Sequence, residues 1–249
     1  MATQRIQLPW ATEPFDLHLT PLHALIGPAG VGKTATLDVL HALYLKQRQG
    51  PAPSYSFRPP YQEAIRASWD LVQKYYPWIA SIDCKTIEEK DEIILTSKDG
   101  WTTVLGSEGH LSSLIDMLWA ITLDAFCKEK KARFVMADDF GIYNHPEQMA
   151  DMMKLLRRTA ESGVQVVLAT NNPLVINEMQ PEEVTVLTRG EHGPKATLLR
   201  DTWNFAERSR FYALGELWLL HGGNNEHDLL HEPQPNGKAA AEPSKIENK

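Results

Sequence analysis

Residues Gly27-Pro28-Ala29-Gly30-Val31-Gly32-Lys33-Thr34 fit the pattern G-x-x-x-x-G-K-[ST], whose chemistry is to hold a polyphosphate. The glycines let the backbone curl until successive N–H groups point into one anion-binding nest. Lys33 can reach the β- and γ-phosphates, and the Thr34 hydroxyl is placed to ligate Mg²⁺. Ala35 continues the site into the helix that follows. A second set lies at Asp138 and Asp139, two acids that end the apolar run Phe134-Val135-Met136-Ala137. Alone, such a pair reads as solvated acids closing a strand. Downstream of a phosphate loop it reads as a Walker B element: Asp138 binds Mg²⁺, directly or through water, and Asp139 stands where a general base polarises the attacking water. Lys33 and Asp139 are therefore the candidate catalytic residues. No N-K-x-D run that would read guanine occurs, so the expected ligand is ATP with Mg²⁺.

These groups need elements to position them. Residues 22–26 are apolar apart from His23 and predict a strand leading into the loop. Residues 35–47, with Leu37, Leu40, Ala42 and Leu45, predict a helix whose N-terminus faces the phosphates. Residues 133–137 and 164–169 predict buried strands, and residues 146–162 an amphipathic helix stopped by Gly163. Helices are also expected over 61–76, 111–128 and 204–220. Hairpins are expected at 93–105, around Lys98-Asp99-Gly100, and at 184–199. Near the N-terminus, 5–8 and 15–20 read as two strands split by a turn. Residues 50–60 hold four prolines and read as a loop. The fold class expected is α/β, a mainly parallel sheet plus an antiparallel β element near the N-terminus. Ligands of such sheets sit at the carboxyl ends of the strands. That rule gathers 27–34, 138–139 and Thr170-Asn171-Asn172 around one crevice.

Bulk properties narrow the function classes. The 249 residues are 43% hydrophobic and 23% charged, an ordinary globular composition. Residues 1–221 read as one domain and 222–249 as a disordered polar tail. A net charge of −7 argues against a broadly basic surface that coats nucleic acid and leaves a local basic groove open. Cys84 and Cys127 are too few and too far apart for a disulfide framework or zinc site. Nothing resembles a signal peptide or a membrane span, so a cytoplasmic protein without membrane insertion is expected. The histidines show no H-E-x-x-H spacing, and His145 reads as a turn residue. Trp69, Trp78, Trp101, Trp119, Trp203 and Trp218 are expected mainly in the core.

The stretch Asp138-Asp139-Phe140-Gly141-Ile142-Tyr143-Asn144-His145-Pro146 resembles the Walker B and D-loop region of ABC-type ATPases of the OLD and RecF/SMC-like kind, grouped as AAA-family ATPases. Val166 to Val175 resembles that family's strand ending in Thr-His-Ser-Pro, and Pro181-Glu182-Glu183-Val184 and Gly215-Glu216-Leu217-Trp218 also look like it. The likeness spans about residues 4–220. It implies an ABC-type core that binds ATP and Mg²⁺. It further implies a homodimer, or a complex with an effector protein, controlled by nucleotide state, with relatives in DNA repair and in defence against mobile elements. The interval from Thr34 to Leu111 is too short for a long coiled coil, and no acidic cluster of a nuclease domain follows residue 200.

The departures bear on rate. The family's catalytic acid is Glu; Asp139 holds its carboxylate back by ~1.5 Å, a C–C bond length. The family's switch histidine falls at Asn171, which can hydrogen-bond a γ-phosphate but can neither take nor give up a proton near neutral pH. The signature Leu-Ser-x-Gly matches Leu111-Ser112-Ser113-Leu114, with the glycine replaced by a leucine expected to obstruct a nucleotide held by the opposite subunit. Ser112 is equally readable as a helix cap. Gln62 and Gln73 are the possible Q-loop glutamines. The expected function is a slow switch ATPase. The alternatives are a nucleotide-gated binding module with little or no hydrolysis and, with less support, an ABC transporter ATPase subunit, which couples through the missing Q-loop and signature.

Overall fold

The first two strands, β1 (Ala2–Ile6) and β2 (Phe15–Leu19), pair antiparallel, β1 earlier in the chain than the expected 5–8. In this computed structural model, residues 2–47, 60–87, 90–104, 112–130, 132–141, 144–221 and 229–230 are described. β3 (Leu22–Ile26) leads into the phosphate loop, and α1 (Lys33–Gln47) follows it. The helix expected over 61–76 is two helices, α2 (Pro60–Ala67) and α3 (Trp69–Tyr75). They part at Ser68, whose φ of −110° and ψ of 21° leave the helical region. A three-stranded antiparallel sheet follows: β4 (Ile79–Ile87), β5 (Lys90–Ser97) and β6 (Thr102–Val104). Then come α4 (Ser112–Lys130), β7 (Phe134–Ala137), α5 (Pro146–Glu161), β8 (Gln165–Ala169) and a short α6 (Pro173–Asn177). The chain closes with β9 (Val184–Thr188), β10 (Lys195–Leu198), α7 (Phe205–Arg208) and α8 (Leu214–His221). The last two replace the single helix expected over 204–220.

The central sheet has the order β10-β9-β3-β8-β7. Its four strands β9, β3, β8 and β7 run parallel, and β10 is an antiparallel edge. The protein is thus α/β with a mainly parallel sheet and an antiparallel β1–β2 ribbon. Successive side chains of a strand point to opposite faces, so each strand feeds two cores. Leu22, Ala24 and Ile26 of β3 and Val166 and Leu168 of β8 pack on the side of α4 and α5. Leu25, Val167 and Ala169 pack on the other side with α1 and the ribbon, through Leu37, Leu40, Ile6 and Leu17. Covering both faces is what makes β3 a continuous apolar run.

His23 breaks that run without disturbing it. Its ring nitrogens meet the hydroxyls of Thr20, at 3.0 Å, and Thr185, at 2.9 Å. Burial first, and then the charge of His18, push its pKa down to about 3, so the imidazole is neutral.

Some expectations need correction. Trp78 and Trp101 are 39% and 44% exposed and lie at the turn end of the β4–β5–β6 sheet rather than in a core. Trp218 is buried, while Trp69, Trp119 and Trp203 are half-buried. Of the expected loop at 50–60, residues 50–59 lie outside the described residues and Pro60 opens α2; most of the expected tail at 222–249 lies outside them too. Within that tail Leu229 is buried, and its carbonyl accepts the Trp203 N–H at 3.2 Å. Among the described residues no helix is long and apolar enough to cross a membrane.

Candidate functional site

The phosphate loop leaves β3 against the end of β9. A Cβ on Gly27 would lie 2.5 Å from the Leu187 carbonyl oxygen and 2.9 Å from Val31 Cγ1, so only glycine fits this approach. The Gly27 N–H donates to Asn171 Oδ1 at 3.3 Å. The loop closes with Val31 N–H on Pro28 O at 3.3 Å, and the Thr36 N–H and hydroxyl both donate to Gly32 O, at 2.9 and 2.8 Å. Lys33 is folded back within the loop. Its Nζ donates to Gly27 O at 2.7 Å and Pro28 O at 3.2 Å. The side chain is buried, and desolvation lowers its pKa against the opposing pull of Asp139 and Asp138. It is a cation short of counter-charge at the place where phosphate oxygens would sit.

Parallel pairing of β7 with β8 and of β8 with β3 carries Asp138 to the same end of the sheet. There the Thr34 hydroxyl donates to Asp138 Oδ2 at 2.6 Å. Asp138 Oδ1 accepts the Asp139 N–H at 3.1 Å. Asp139 is exposed and sits in the left-handed region, φ +51°, an uncommon conformation for a residue with a side chain.

The chain beyond Asp139 is clamped from two sides. The Phe140 N–H donates to Ala169 O at 3.1 Å, and the Thr170 hydroxyl donates to Phe140 O at 2.8 Å. Asn172 Nδ2 donates to Gly141 O, while Asn172 Oδ1 caps α6 by accepting the Leu174 N–H at 2.9 Å. From α4, Asp116 Oδ2 accepts the Gly141 N–H at 3.2 Å and Asn144 Nδ2 at 3.0 Å. Burial raises the Asp116 pKa, and these two donors oppose the rise.

The start of α4 answers part of the signature question. Leu111 and the side chain of Ser112 lie outside the described residues. Leu114 is fully buried within the core, so it does not project toward an opposing nucleotide; the expected obstruction is corrected. The hydroxyl of Ser113 pairs with Tyr76 Oη at 2.8 Å. Gln62 and Gln73 bond to Asp83 and to the Ile79 carbonyl at the β4 strand. His145 caps α5 by accepting the Glu147 N–H at 3.4 Å.

The structure therefore gathers 27–35, Asp138, Asp139 and Asn171 at one end of the sheet. Three neighbours escaped the sequence reading. Trp10, in the β1–β2 loop, is 59% exposed and lies beside the phosphate loop: a Cβ on Gly32 would be 3.2 Å from its Cζ2. Arg189, just after β9, donates from Nη2 to Ala29 O at 2.7 Å. Asp116 is the third. No spacing rule links any of them to the loop; they arrive through sheet order and helix packing. The donor set suits a magnesium polyphosphate: a buried ammonium for phosphate oxygens, hard oxygens on Thr34 and Asp138 for the metal, and open space where a Cβ on Gly30 would meet nothing within 4 Å.

No protein-family model matches the chain, and no curated protein matches it in sequence. Several solved structures are similar. The SMC head domain from Thermotoga maritima aligns at 10% identity and a TM-score of 0.46, over 80% of this chain and 99% of that one. The Smc head domain with a coiled coil and joint from Pyrococcus yayanosii aligns at 12% identity and a TM-score of 0.41. That alignment takes in 55% of this chain and spans only 26% of the other. An RNase-L inhibitor structure aligns at 14% identity and a TM-score of 0.35, over 85% of this chain and 46% of that one.

Proposed function

We propose that this chain is an ATP-binding switch of the ABC type that hydrolyses ATP slowly. The observation that carries the reading is the 2.6 Å bond between the Thr34 hydroxyl and Asp138 Oδ2. It unites a phosphate loop and an acid-tipped strand 104 residues apart in the chain, as a shared Mg²⁺ site requires. Residues 27–35 and Lys33 would bind the triphosphate, and Thr34 and Asp138 would hold Mg²⁺, which when bound neutralises phosphate charge. Asp139 would accept a proton from the attacking water, and Asn171 would offer Nδ2 to the terminal phosphate while Oδ1 keeps Gly27. Exposed Trp10 is placed to stack on a nucleobase. Slow turnover follows from a short acid and from an asparagine where a proton carrier would serve better. Nucleotide state would then govern self-association or docking to an effector, in DNA repair or in defence against mobile elements.

The test is equilibrium binding of ATP with Mg²⁺ and steady-state phosphate release. Binding should weaken at least a hundredfold in Lys33→Ala, and wild-type turnover should vanish in Asp139→Asn. Unaltered binding in Lys33→Ala would refute the site. A wild type that binds but releases no phosphate above background would turn the switch into the non-hydrolysing module, a reading that the neutral Asn171 favours.

A further inference from the structure

Arg189 approaches the phosphate loop from outside the predicted motif. Its backbone is fixed by β9, which pairs with β3 at Ile26↔Val186 and backs Gly27 with the Leu187 carbonyl. From there its guanidinium holds the Ala29 carbonyl at 2.7 Å. Ala29 O and the Gly30 N–H belong to one peptide unit. All peptides here are trans, so the two groups point in opposite directions. Holding the carbonyl on the Arg189 side turns the Gly30 N–H to the opposite side. Gly30 itself, at φ +74°, has the conformational freedom that makes this one peptide easy to flip. A charged donor on the carbonyl also polarises the unit and strengthens its N–H as a donor.

We propose that Arg189 is a positioning residue for polyphosphate binding: by holding Ala29 O it keeps the Gly30 amide aimed into the anion nest. This rests on the phosphate-loop reading above and names a residue that no loop motif contains. Arg189 need not touch the ligand. Its effect is the presentation of one amide that does, so it acts equally on every ligand that carries the triphosphate.

The experiment compares wild type, Arg189→Ala, Arg189→Lys and Lys33→Ala by calorimetric titration with ATP·Mg²⁺ and with inorganic triphosphate·Mg²⁺. Amide NMR of the ligand-free proteins accompanies it. Arg189→Ala should bind both ligands about tenfold more weakly, the weight of one well-aimed hydrogen bond. Its ligand-free melting temperature should stay at the wild-type value, because a single exposed bond contributes little to stability. The Gly30 amide resonance should move in Arg189→Ala and return toward wild type in Arg189→Lys, together with most of the affinity. Unchanged affinity, a loss confined to ATP, a stationary Gly30 resonance or a lowered melting temperature would each overturn the proposal. Lys33→Ala binding as tightly as wild type, or a wild type that binds neither ligand, would overturn the phosphate-loop reading as well. That failure is visible before any Arg189 variant is compared.

Discussion

Asp139 offers a test in which two variants differ in stability while losing activity alike. Its φ of +51° places a residue with a Cβ in the left-handed region, where an ordinary L-residue loses ~1–2 kcal/mol. Aspartate softens this because its short polar side chain bonds locally; alanine does not. Glycine meets no such penalty but loses more freedom on folding, worth ~0.5–1 kcal/mol. The difference predicts Asp139→Gly more stable than Asp139→Ala by ~0.5–1 kcal/mol. For a chain of 249 residues that is a gap of about 1–4 °C in melting temperature. Both variants lack the carboxylate, so both should lose phosphate release alike. Urea unfolding of the pair, read by tryptophan fluorescence, measures the gap directly. Asp139→Ala equalling or exceeding Asp139→Gly in stability would mean the left-handed step is absent in solution. The idea that the acid is held in a strained conformation by its clamps would then fall.

Other outcomes follow from buried groups. Burial lowers the Lys33 pKa, so an unfolded chain takes up this proton below the ordinary lysine value while the folded one resists. The resulting penalty grows as pH falls from the ordinary lysine value through the lowered folded one, and Lys33→Met should melt no lower than wild type without ligand. In thermal scans the same variant should lose the ~2.7 kcal/mol of stabilisation that ATP·Mg²⁺ at a hundred times its dissociation constant gives wild type. His23, pushed down to about 3, makes stability fall as pH drops from ~6.5, where the unfolded imidazole protonates, toward the folded value, by ~1.4 kcal/mol per pH unit. His23→Gln should be less stable at pH 7 yet show a slope between pH 6 and 4 flatter by about one proton; equal slopes would place the titration elsewhere. Leu114→Gly, which introduces the glycine of the signature that residues 111–114 resemble, empties a fully buried site and should cost ~3–6 kcal/mol of unfolding free energy. Faster turnover with unchanged stability would contradict the core position of this side chain.

Local pattern made much of the fold legible. The strand, loop and helix from Leu22 to Gln47 announce themselves because an apolar run, a glycine-rich turn and helical spacing follow in order. The acids after β7 and the polar run after β8 were equally readable, since both apolar strands stop at a change of residue type. β4 was not: its register slips between Ile79 and Ser81, and this irregularity interrupts the period-two signal at the start of the strand. The break at Ser68 was missed because a backbone excursion of one residue leaves no gap in the apolar spacing on either side. Trp78 and Trp101 went astray because residue type gives burial only on average. Arg189, Trp10 and Asp116 were invisible for a different reason. Arg189 reaches the site through which strand lies next to which, and Asp116 and Trp10 through how a helix and a loop pack beside the sheet; none of this is written in any local window.

The run Thr170-Asn171-Asn172 shows what the unusual residues achieve together. Asn171 Oδ1 takes the Gly27 N–H, the Thr170 hydroxyl donates to Phe140 O, and Asn172 Nδ2 donates to Gly141 O. Three consecutive side chains thus bind backbone groups of the phosphate loop and of the acid loop. A histidine at 171 would offer one acceptor nitrogen and would surrender it on protonation; asparagine keeps its oxygen at every pH. It also retains two N–H donors on the far side of the same planar carboxamide, pointing away from that oxygen. Thr34 adds a fourth link through Asp138 Oδ2. The two loops are therefore joined directly by Thr34 and Asp138 and, through Asn171 and its neighbours at the end of β8, by a chain of hydrogen bonds running from Gly27 to the residues that flank Asp139. Such a connection would favour holding a bound triphosphate in one geometry over the free movement of a proton, as the proposed function requires.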